Sequence, residues 1–320
     1  MTMLTRAKLV GPAPETNTGD YWWISSEEVL LMRPAHNPRR FKLLRLDVPS
    51  GREKALAAFN RKHSARIIGK KWRLSTHGVP GFEIAYWSPE CALSPNGKWF
   101  LWLSGGATWI AASLDGAMQR KWAEQHWIPS SYCWLPDSER WVQLVSQYRR
   151  ERYTLRKAIV RTAVRRSASK ATEIRVDDGL MLGVNYRGRI LIHNRDQEQV
   201  STETSLSEVS LVPGQPIRRR LIGLPEPGEI WEVALSKAGD RLAWIVSVGE
   251  QVFPREYVLW VSGLDGKKFE EVGRMRGQCE QSATNSSETA YYWPQSLRWL
   301  PDGDEISFIF KEDIYRLRVS

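Results

Sequence analysis

The chain has 320 residues, of which 42% are hydrophobic and 26% are charged, and its formal net charge is +10. This balance is typical of a folded globular protein and excludes a disordered chain. The sequence has no run of 18 apolar residues, and its first eight residues lack the long apolar core of a secretory signal. We therefore expect a cytoplasmic protein without a transmembrane segment, or a periplasmic or secreted one if a signal peptide was removed.

Sixteen tryptophans favour an all-β protein, because Trp prefers strands and packs large flat surfaces. Cys91, Cys133 and Cys279 form no CxxC pair, so the sequence predicts neither a disulfide framework nor a zinc finger, and we expect buried thiols. The five histidines are scattered without metal-ligand spacing. We predict no metal and no cofactor.

A pattern of an apolar strand, a turn rich in Pro, Asp, Asn and Gly, and a second apolar strand recurs along the chain. Pro presets the first turn position and Asn-Gly or Asp-Gly supplies left-handed positions, so each copy predicts a β-hairpin. In chain order the copies are 22–31, 92–102, 134–142, 184–192, 233–244 and 299–308, with 22–31 and 184–192 the weakest. Third strands ending in Leu-Asp-Gly are predicted at 108–116 and 257–266.

Four strands per copy, with inner strands apolar on both faces, suit a blade that lies between two neighbouring blades. The last copy ends with its third strand at 314–319, and N-terminal residues can supply the fourth. We therefore predict one all-β domain over residues 1–320, a six-bladed β-propeller of four-stranded antiparallel blades whose ring is closed by the N-terminal strand. The predicted blades are 20–70, 71–125, 126–176, 177–228, 229–281 and 282–320, with the closing strand at 3–10.

The stretches SPNGKWFLW at 94–102 and LPDGDEISF at 300–308, with the later Leu-Asp-Gly, resemble the repeats of TolB-type, WD-repeat-like propellers. They also resemble the propeller domains that precede prolyl-oligopeptidase-type hydrolases, although the chain has no GxSxG nucleophile elbow. The resemblance implies a ring-shaped platform that binds other molecules. Repeats of this kind specify a fold and hardly constrain function.

Two segments carry the basic excess: residues 147–170 have a net charge of +8 and residues 61–73 one of +6, which leaves the rest at −4. Such a localised positive sector attracts acidic proteins, nucleic acid or anionic surfaces, unless its charge serves only solubility. The predicted binding residues, on the rim of the ring, are Arg149, Arg150, Arg152, Arg156, Lys157, Arg161, Arg165, Arg166, Lys70 and Lys71. Two interpretations are open for the outer strand of the fourth blade, which contains Arg218, Arg219 and Arg220. These residues either extend the positive sector or are ordinary surface charges.

The first functional hypothesis is a non-enzymatic platform that binds a protein partner as a subunit of a larger assembly. The second is a hydrolase or lyase with its site in the central channel, and the third is a binder of nucleic acid or another polyanion. Channel candidates are Glu83, Glu90, Asn185, Glu229 and Glu232, which have solvated loop charge as the alternative interpretation. The aromatic residues Trp87, Trp127, Trp231, Tyr291, Tyr292 and Trp293 either stack on sugars or bases or fill the joints between blades.

Overall fold

The computed structural model describes the chain as β-strands joined by turns, with no helix among the described residues. All strand pairs with an assigned register are antiparallel, as the sequence predicted for an all-β fold. The described residues accordingly include no helix that could cross a membrane. They are residues 7–12, 21–34, 41–55, 93–104, 108–113, 119–123, 128–149, 152–162, 172–176, 179–194, 200–249, 254–281, 289–311 and 313–319.

The chain packs as two compact units. The terminal unit consists of residues 1–13, 195–206 and 219–320, and the central unit of residues 14–194 and 207–218. Each unit has its own apolar core of buried aromatic and aliphatic side chains. Both ends of the chain therefore belong to one unit.

The first strand of the chain, β1, lies in the terminal unit, and the strands that follow build the sheets of the central unit. A four-stranded sheet contains β2 to β5 in chain order, and a three-stranded sheet contains β6 to β8. A second four-stranded sheet contains β9 to β12. These strands are β1 (Lys8–Pro12), β2 (Tyr21–Trp23), β3 (Glu28–Pro34), β4 (Phe41–Asp47), β5 (Arg52–Ala55), β6 (Trp99–Ser104), β7 (Thr108–Ser113), β8 (Gln119–Ala123), β9 (Ile128–Trp134), β10 (Arg140–Arg149), β11 (Arg152–Thr162) and β12 (Thr172–Arg175).

The longest sheet has seven strands, which follow one another in chain order from β13 to β19. Its β16 is 18 residues long, and only its second half, from Gly228 to Leu235, pairs with β17. The remaining strands form a two-stranded hairpin and the last four-stranded sheet. These strands are β13 (Leu180–Val184), β14 (Arg189–Asn194), β15 (Ser201–Ser210), β16 (Arg218–Leu235), β17 (Arg241–Val248), β18 (Glu256–Gly263), β19 (Glu270–Arg276), β20 (Gln278–Gln281), β21 (Thr289–Tyr292), β22 (Gln295–Trp299), β23 (Glu305–Phe310) and β24 (Asp313–Arg318).

Five of the predicted repeats form turns with the same backbone geometry. In each, one N–H donates across the turn to a carbonyl three residues earlier, over 2.8 to 3.0 Å, and the donor residue has a φ between 58° and 82°. A left-handed residue of this kind favours glycine, which explains why glycine occupies this position in four of the five turns. The donor and acceptor pairs are Gly97 and Ser94, Ser138 and Leu135, Gly188 and Asn185, Gly239 and Ser236, and Gly303 and Leu300.

The first repeat departs from this geometry. Its strands β2 and β3 pair as a hairpin, but the connection closes through Ile24 N–H donating to the Glu28 carbonyl at 2.9 Å, and none of residues 24–27 has a positive φ. The segment Ser25-Ser26-Glu27 supplies no glycine for a left-handed position. This absence is why the copy looks weak in sequence.

Consecutive turns contact each other within each unit. In the central unit the Asn96 N–H donates to the Ser138 hydroxyl at 3.1 Å, and in the terminal unit the Arg241 guanidinium donates to the Gly303 carbonyl at 3.4 Å. Arg241 also lies over the Trp299 ring, 5.0 Å from its centroid. Neighbouring sheets are therefore joined at their turns as well as through their cores.

The N-terminal strand completes the last sheet, whose strand order is β1-β24-β23-β22. Lys8 pairs with Arg316 and Pro12 with Asp313, and the register shifts once between Leu9 and Gly11. The predicted pairing of the N-terminal segment with the last sheet is thus present, and the strand extends to Pro12 rather than ending at Val10. Residues 1–6 lie outside the described part of the chain.

We predict that Gly303→Ala lowers the free energy of unfolding by about 1 kcal/mol, because a Cβ makes the left-handed conformation costly. Gly303 has a φ of +82°, and no atom lies within 4 Å of the added Cβ, so the loss reflects the backbone alone. Gly223→Ala is the matched control, since its Cβ also meets open space and its φ is not positive. Urea denaturation measures both, and equal losses would contradict the turn model.

We predict that Val10→Asp destabilises the protein by roughly 2 kcal/mol or more, because it buries a carboxylate where β1 covers the last sheet. Val10 is 7% exposed, whereas its neighbour Leu9 is 62% exposed. Leu9→Asp should change stability little. Thermal unfolding of the two variants, side by side, tests whether β1 is part of the folded core, and indistinguishable midpoints would show that it is not.

Candidate binding surfaces

The predicted basic sector falls partly on described strands. Arg149 ends β10, Arg152 begins β11, and Arg156, Lys157 and Arg161 follow along β11. The other predicted members, Arg150, Arg165, Arg166, Lys70 and Lys71, lie outside the described residues, as does the whole basic segment 61–73. The sequence placed Arg218, Arg219 and Arg220 in an outer strand, and they begin β16.

Two pairs of basic residues occupy directly opposite positions between neighbouring strands of this sheet. Arg149 pairs with Arg152 at the end of the β10–β11 hairpin, and Lys157 pairs with Arg175 between β11 and β12. Like charges in directly opposite positions destabilise a sheet. This register concentrates positive charge on the strands β10 to β12. We call these strands, with their basic residues, the basic edge.

Two of the channel candidates have structural roles. The Asn185 side-chain oxygen accepts hydrogen bonds at 3.0 Å from the N–H groups of Arg187 and Arg189, so it holds a turn in the place where other repeats have serine. The Glu232 carboxylate accepts N–H groups from Ser296 and Leu297, both at 2.6 Å. Glu83 and Glu90 lie outside the described residues.

Glu232 stabilises an irregular stretch of β22. Ser296 has a φ of 57°, and the β22–β23 register shifts between Gln295 and Arg298, as in a β-bulge. The bulge turns two successive N–H groups toward one carboxylate. Solvated loop charge was the alternative interpretation for Glu232, and these two bonds make it wrong.

Glu229, the remaining candidate, belongs to a polar and aromatic cluster in the terminal unit. Its carboxylate lies 2.5 Å from the Arg255 guanidinium, and both side chains are about one quarter exposed. Arg255 also lies over the Trp231 ring, 5.5 Å from its centroid. Trp231 is the extra residue at a register shift between β16 and β17. Such a bulge re-aims a side chain relative to the regular strand.

Tyr257 and Ser247 extend this cluster into the sheet. Ser247 pairs with Glu229 on one side and with Tyr257 on the other, so the three residues form one row across β16, β17 and β18 on the same face. Tyr257 and Ser247 are fully buried, and their hydroxyls make no hydrogen bond within the described residues. A buried hydroxyl without a partner costs about 1–3 kcal/mol.

Burial raises the pKa of the Tyr257 phenol to about 12, with Arg255 lowering it and Glu229 raising it as smaller effects. Because this value is far above neutral pH, the hydroxyl keeps its proton and acts as a hydrogen-bond donor. It is therefore equipped to bind an acceptor rather than to remove a proton. We call Glu229, Trp231, Ser247, Arg255 and Tyr257 the row cluster.

The aromatic candidates divide between described and undescribed positions. Trp231 and Trp293 contact each other with ring centroids 5.5 Å apart, and both pack against the terminal core while remaining partly exposed. Lys311 lies over the Tyr292 ring at 5.7 Å. These contacts favour the interpretation that the aromatic rings fill joints between blades. The rings of Trp231 and Trp293 nevertheless remain partly exposed to solvent. Trp87 and Trp127 lie outside the described residues, and nothing is assigned to the Tyr291 side chain.

Sequence reasoning missed Arg255, Tyr257 and Ser247. The segment from Tyr257 to Val261 was interpreted only as an apolar strand, and a tyrosine at the start of such a strand gives no sign that its hydroxyl is buried. The usable signal was the charged pair Arg255-Glu256 at the start of the strand, which marks where the sheet meets solvent.

The histidines and cysteines form no site among the described residues. His193 is buried in β14, and the other four histidines lie outside the described residues. Cys133 is buried as expected, whereas Cys279 in β20 is exposed, so the prediction of a buried thiol is wrong there. Cys91 is outside the described part. Within that part, no group of three His, Cys, Asp or Glu side chains is arranged to hold a metal ion.

Solved structures similar to this chain have propeller-type folds. The oligogalacturonate lyase from Vibrio parahaemolyticus matches with a TM-score of 0.53 and 9% identity, over 98% of this chain and 92% of that chain. Hydrazine synthase from Kuenenia stuttgartiensis matches with a TM-score of 0.51 and 11% identity, over 98% and 97%. The tricorn protease matches with a TM-score of 0.51 and 10% identity over 92% of this chain, which spans only 28% of the protease chain.

At these identities the likeness concerns the fold alone. The protein belongs to the class of all-β proteins with a propeller-type fold, which supports the resemblance to TolB-type propellers at that coarse level. No protein-family model matches the sequence, and no curated protein matches it.

We predict that Glu232→Ala lowers the free energy of unfolding by about 2–3 kcal/mol, because two N–H groups lose a charged acceptor. Glu232→Gln should cost less, since its amide oxygen can still accept. Glu203→Ala is the control, because Glu203 is exposed. Chemical denaturation measures all three, and a loss no larger than that of Glu203→Ala would show that the bulge does not depend on the carboxylate.

Proposed function

We propose that this protein is a non-enzymatic, six-bladed propeller platform that binds an acidic protein partner through the basic edge, as a subunit of a larger assembly. The observation that carries the proposal is the register of β10 to β12, which sets Arg149 opposite Arg152 and Lys157 opposite Arg175. An acidic partner would supply negative charge to strand positions where two basic residues lie directly opposite each other.

The six-bladed arrangement is supported by the order of the strands. Six hairpins recur along the chain at the positions of the six sequence repeats, with the hairpin at 93–100 represented by the Leu93–Phe100 bridge. The β1–β24 pairing supplies the fourth strand of the last sheet, which is the step that a ring closed by its N-terminal strand requires. A propeller of this kind presents loops and sheet edges from several blades.

The row cluster supports binding rather than catalysis in the terminal unit. The Tyr257 phenol stays protonated at neutral pH, and Glu229 is held in an ion pair with Arg255. A protonated phenol cannot take a proton from a substrate, and the Glu229 carboxylate is already engaged by Arg255. The hydrolase or lyase hypothesis therefore draws no support from these residues.

The test is charge reversal on the basic edge. A variant with Arg149→Glu, Arg152→Glu and Lys157→Glu should lose at least about tenfold in affinity for the protein that co-purifies with the wild type, because a reversed edge repels an acidic surface. The matched control carries Lys54→Glu, Lys98→Glu and Lys237→Glu, which change the net charge equally at exposed positions outside the basic edge.

Affinities are measured by titration of the two purified proteins at several salt concentrations. Retained affinity in the edge variant, or equal losses in the edge and control variants, would reject the basic edge as the binding site. Tight binding of RNA or DNA that falls steeply with salt would instead favour the polyanion hypothesis, since counterion release governs such contacts.

A further inference from the structure

We propose that the row cluster is a binding site for a neutral saccharide, which stacks on Trp231 and takes hydrogen bonds from the hydroxyls of Tyr257 and Ser247. This site lies in the terminal unit and is separate from the basic edge, so the inference does not depend on the proposed function.

The floor of the site is the pair of buried hydroxyls. Ser247 and Tyr257 are direct cross-strand partners, both fully buried and both without a hydrogen bond within the described residues. Buried polar groups in native proteins nearly always have partners, and exceptions call for an explanation. Two neighbouring exceptions on one face of the sheet are explained together if a ligand hydroxyl bonds to both.

The wall of the site is aromatic. The Trp231 ring stands edge-on to the Tyr257 ring, with centroids 5.5 Å apart. The Trp293 ring also contacts Trp231, again with centroids 5.5 Å apart. Both tryptophans remain partly exposed. The bulge at Trp231 releases its ring from the regular alternation of the strand. A partly exposed indole beside buried hydroxyls suits a ligand with one apolar face and several polar groups.

The charged pair selects against anions. Glu229 and Arg255 together carry no net charge and offer both acceptors and donors at the rim. A phosphate or an acidic sugar would meet the Glu229 carboxylate, whereas the hydroxyls of a neutral sugar can donate to Glu229 and accept from Arg255. A pyranose ring also presents a face of C–H groups to an indole. The chemistry therefore fits a neutral saccharide better than a nucleotide.

Arg255 covers the entrance. Its guanidinium lies over the Trp231 ring and acts electrostatically on the Tyr257 hydroxyl. For a ligand to stack on the indole, the Arg255 guanidinium has to move aside. When a ligand binds, its stacking on the indole replaces the cation–π contact between Arg255 and Trp231.

The test uses the full chain and titrates linear oligosaccharides of glucose, xylose and mannose against its tryptophan fluorescence, with a uronic-acid oligosaccharide as the acidic probe. We expect the wild type to bind at least one neutral oligosaccharide more tightly than the acidic one. Trp231→Ala should weaken this binding at least tenfold. Tyr257→Phe should weaken it about fivefold to tenfold without lowering the thermal midpoint, because the lost hydroxyl makes no hydrogen bond to any of the residues that the structure describes.

Tyr315→Phe is the matched control, since it removes a hydroxyl from a tyrosine that stacks on Phe308 elsewhere in the same unit. It should bind as the wild type does, and so should the basic-edge variant, which separates this proposal from the proposed function. Three results would overturn the site: no neutral saccharide bound by the wild type, tighter binding of the acidic probe, or wild-type affinity in both Trp231→Ala and Tyr257→Phe.

Discussion

The rest of the structure depends on the left-handed residue of the five repeated turns. At each turn one residue with positive φ lets a chain leaving one strand enter the next after four or five residues, closed by short backbone bonds. The turn fixes the register of the hairpin, and the register fixes which side chains face the core, because neighbouring residues of a strand alternate between faces. A residue that cannot adopt this conformation would shift or weaken the hairpin that follows.

Neighbouring hairpins are joined by a second layer of contacts at their inner strands. In the terminal unit the Trp299 indole N–H donates to the Ala234 carbonyl at 3.1 Å, and Glu232 binds the bulge at Ser296 and Leu297. These bonds link residues that are about 65 positions apart in the chain. They connect β16 to β22, so two hairpins that are separate in sequence share one core.

Irregularities in the strands create the candidate sites. The register shift at Trp231 places an indole beside the Glu229–Arg255 pair, and the straight row through Ser247 brings the Tyr257 hydroxyl beneath it. In the basic edge the β10–β11 register shifts between Gln147 and Tyr148, and beyond that shift Arg149 lies opposite Arg152. Register shifts thus lie beside both candidate surfaces.

The sequence by itself determined the hairpins, since each turn is spelled by residues within a few positions of one another. Gly97, Gly239 and Gly303 were visible as turn residues because a left-handed φ is a local demand on one residue. The same locality made the all-β class predictable, whereas the pairing of the N-terminal segment was predicted from the fourth strand that the last repeat lacks. Tertiary structure alone decided the roles of Glu232, Ser247 and Tyr257. Their partners, or the lack of them, come from other strands, and neither a bulge in β22 nor the burial of a hydroxyl leaves a mark in the neighbouring residues.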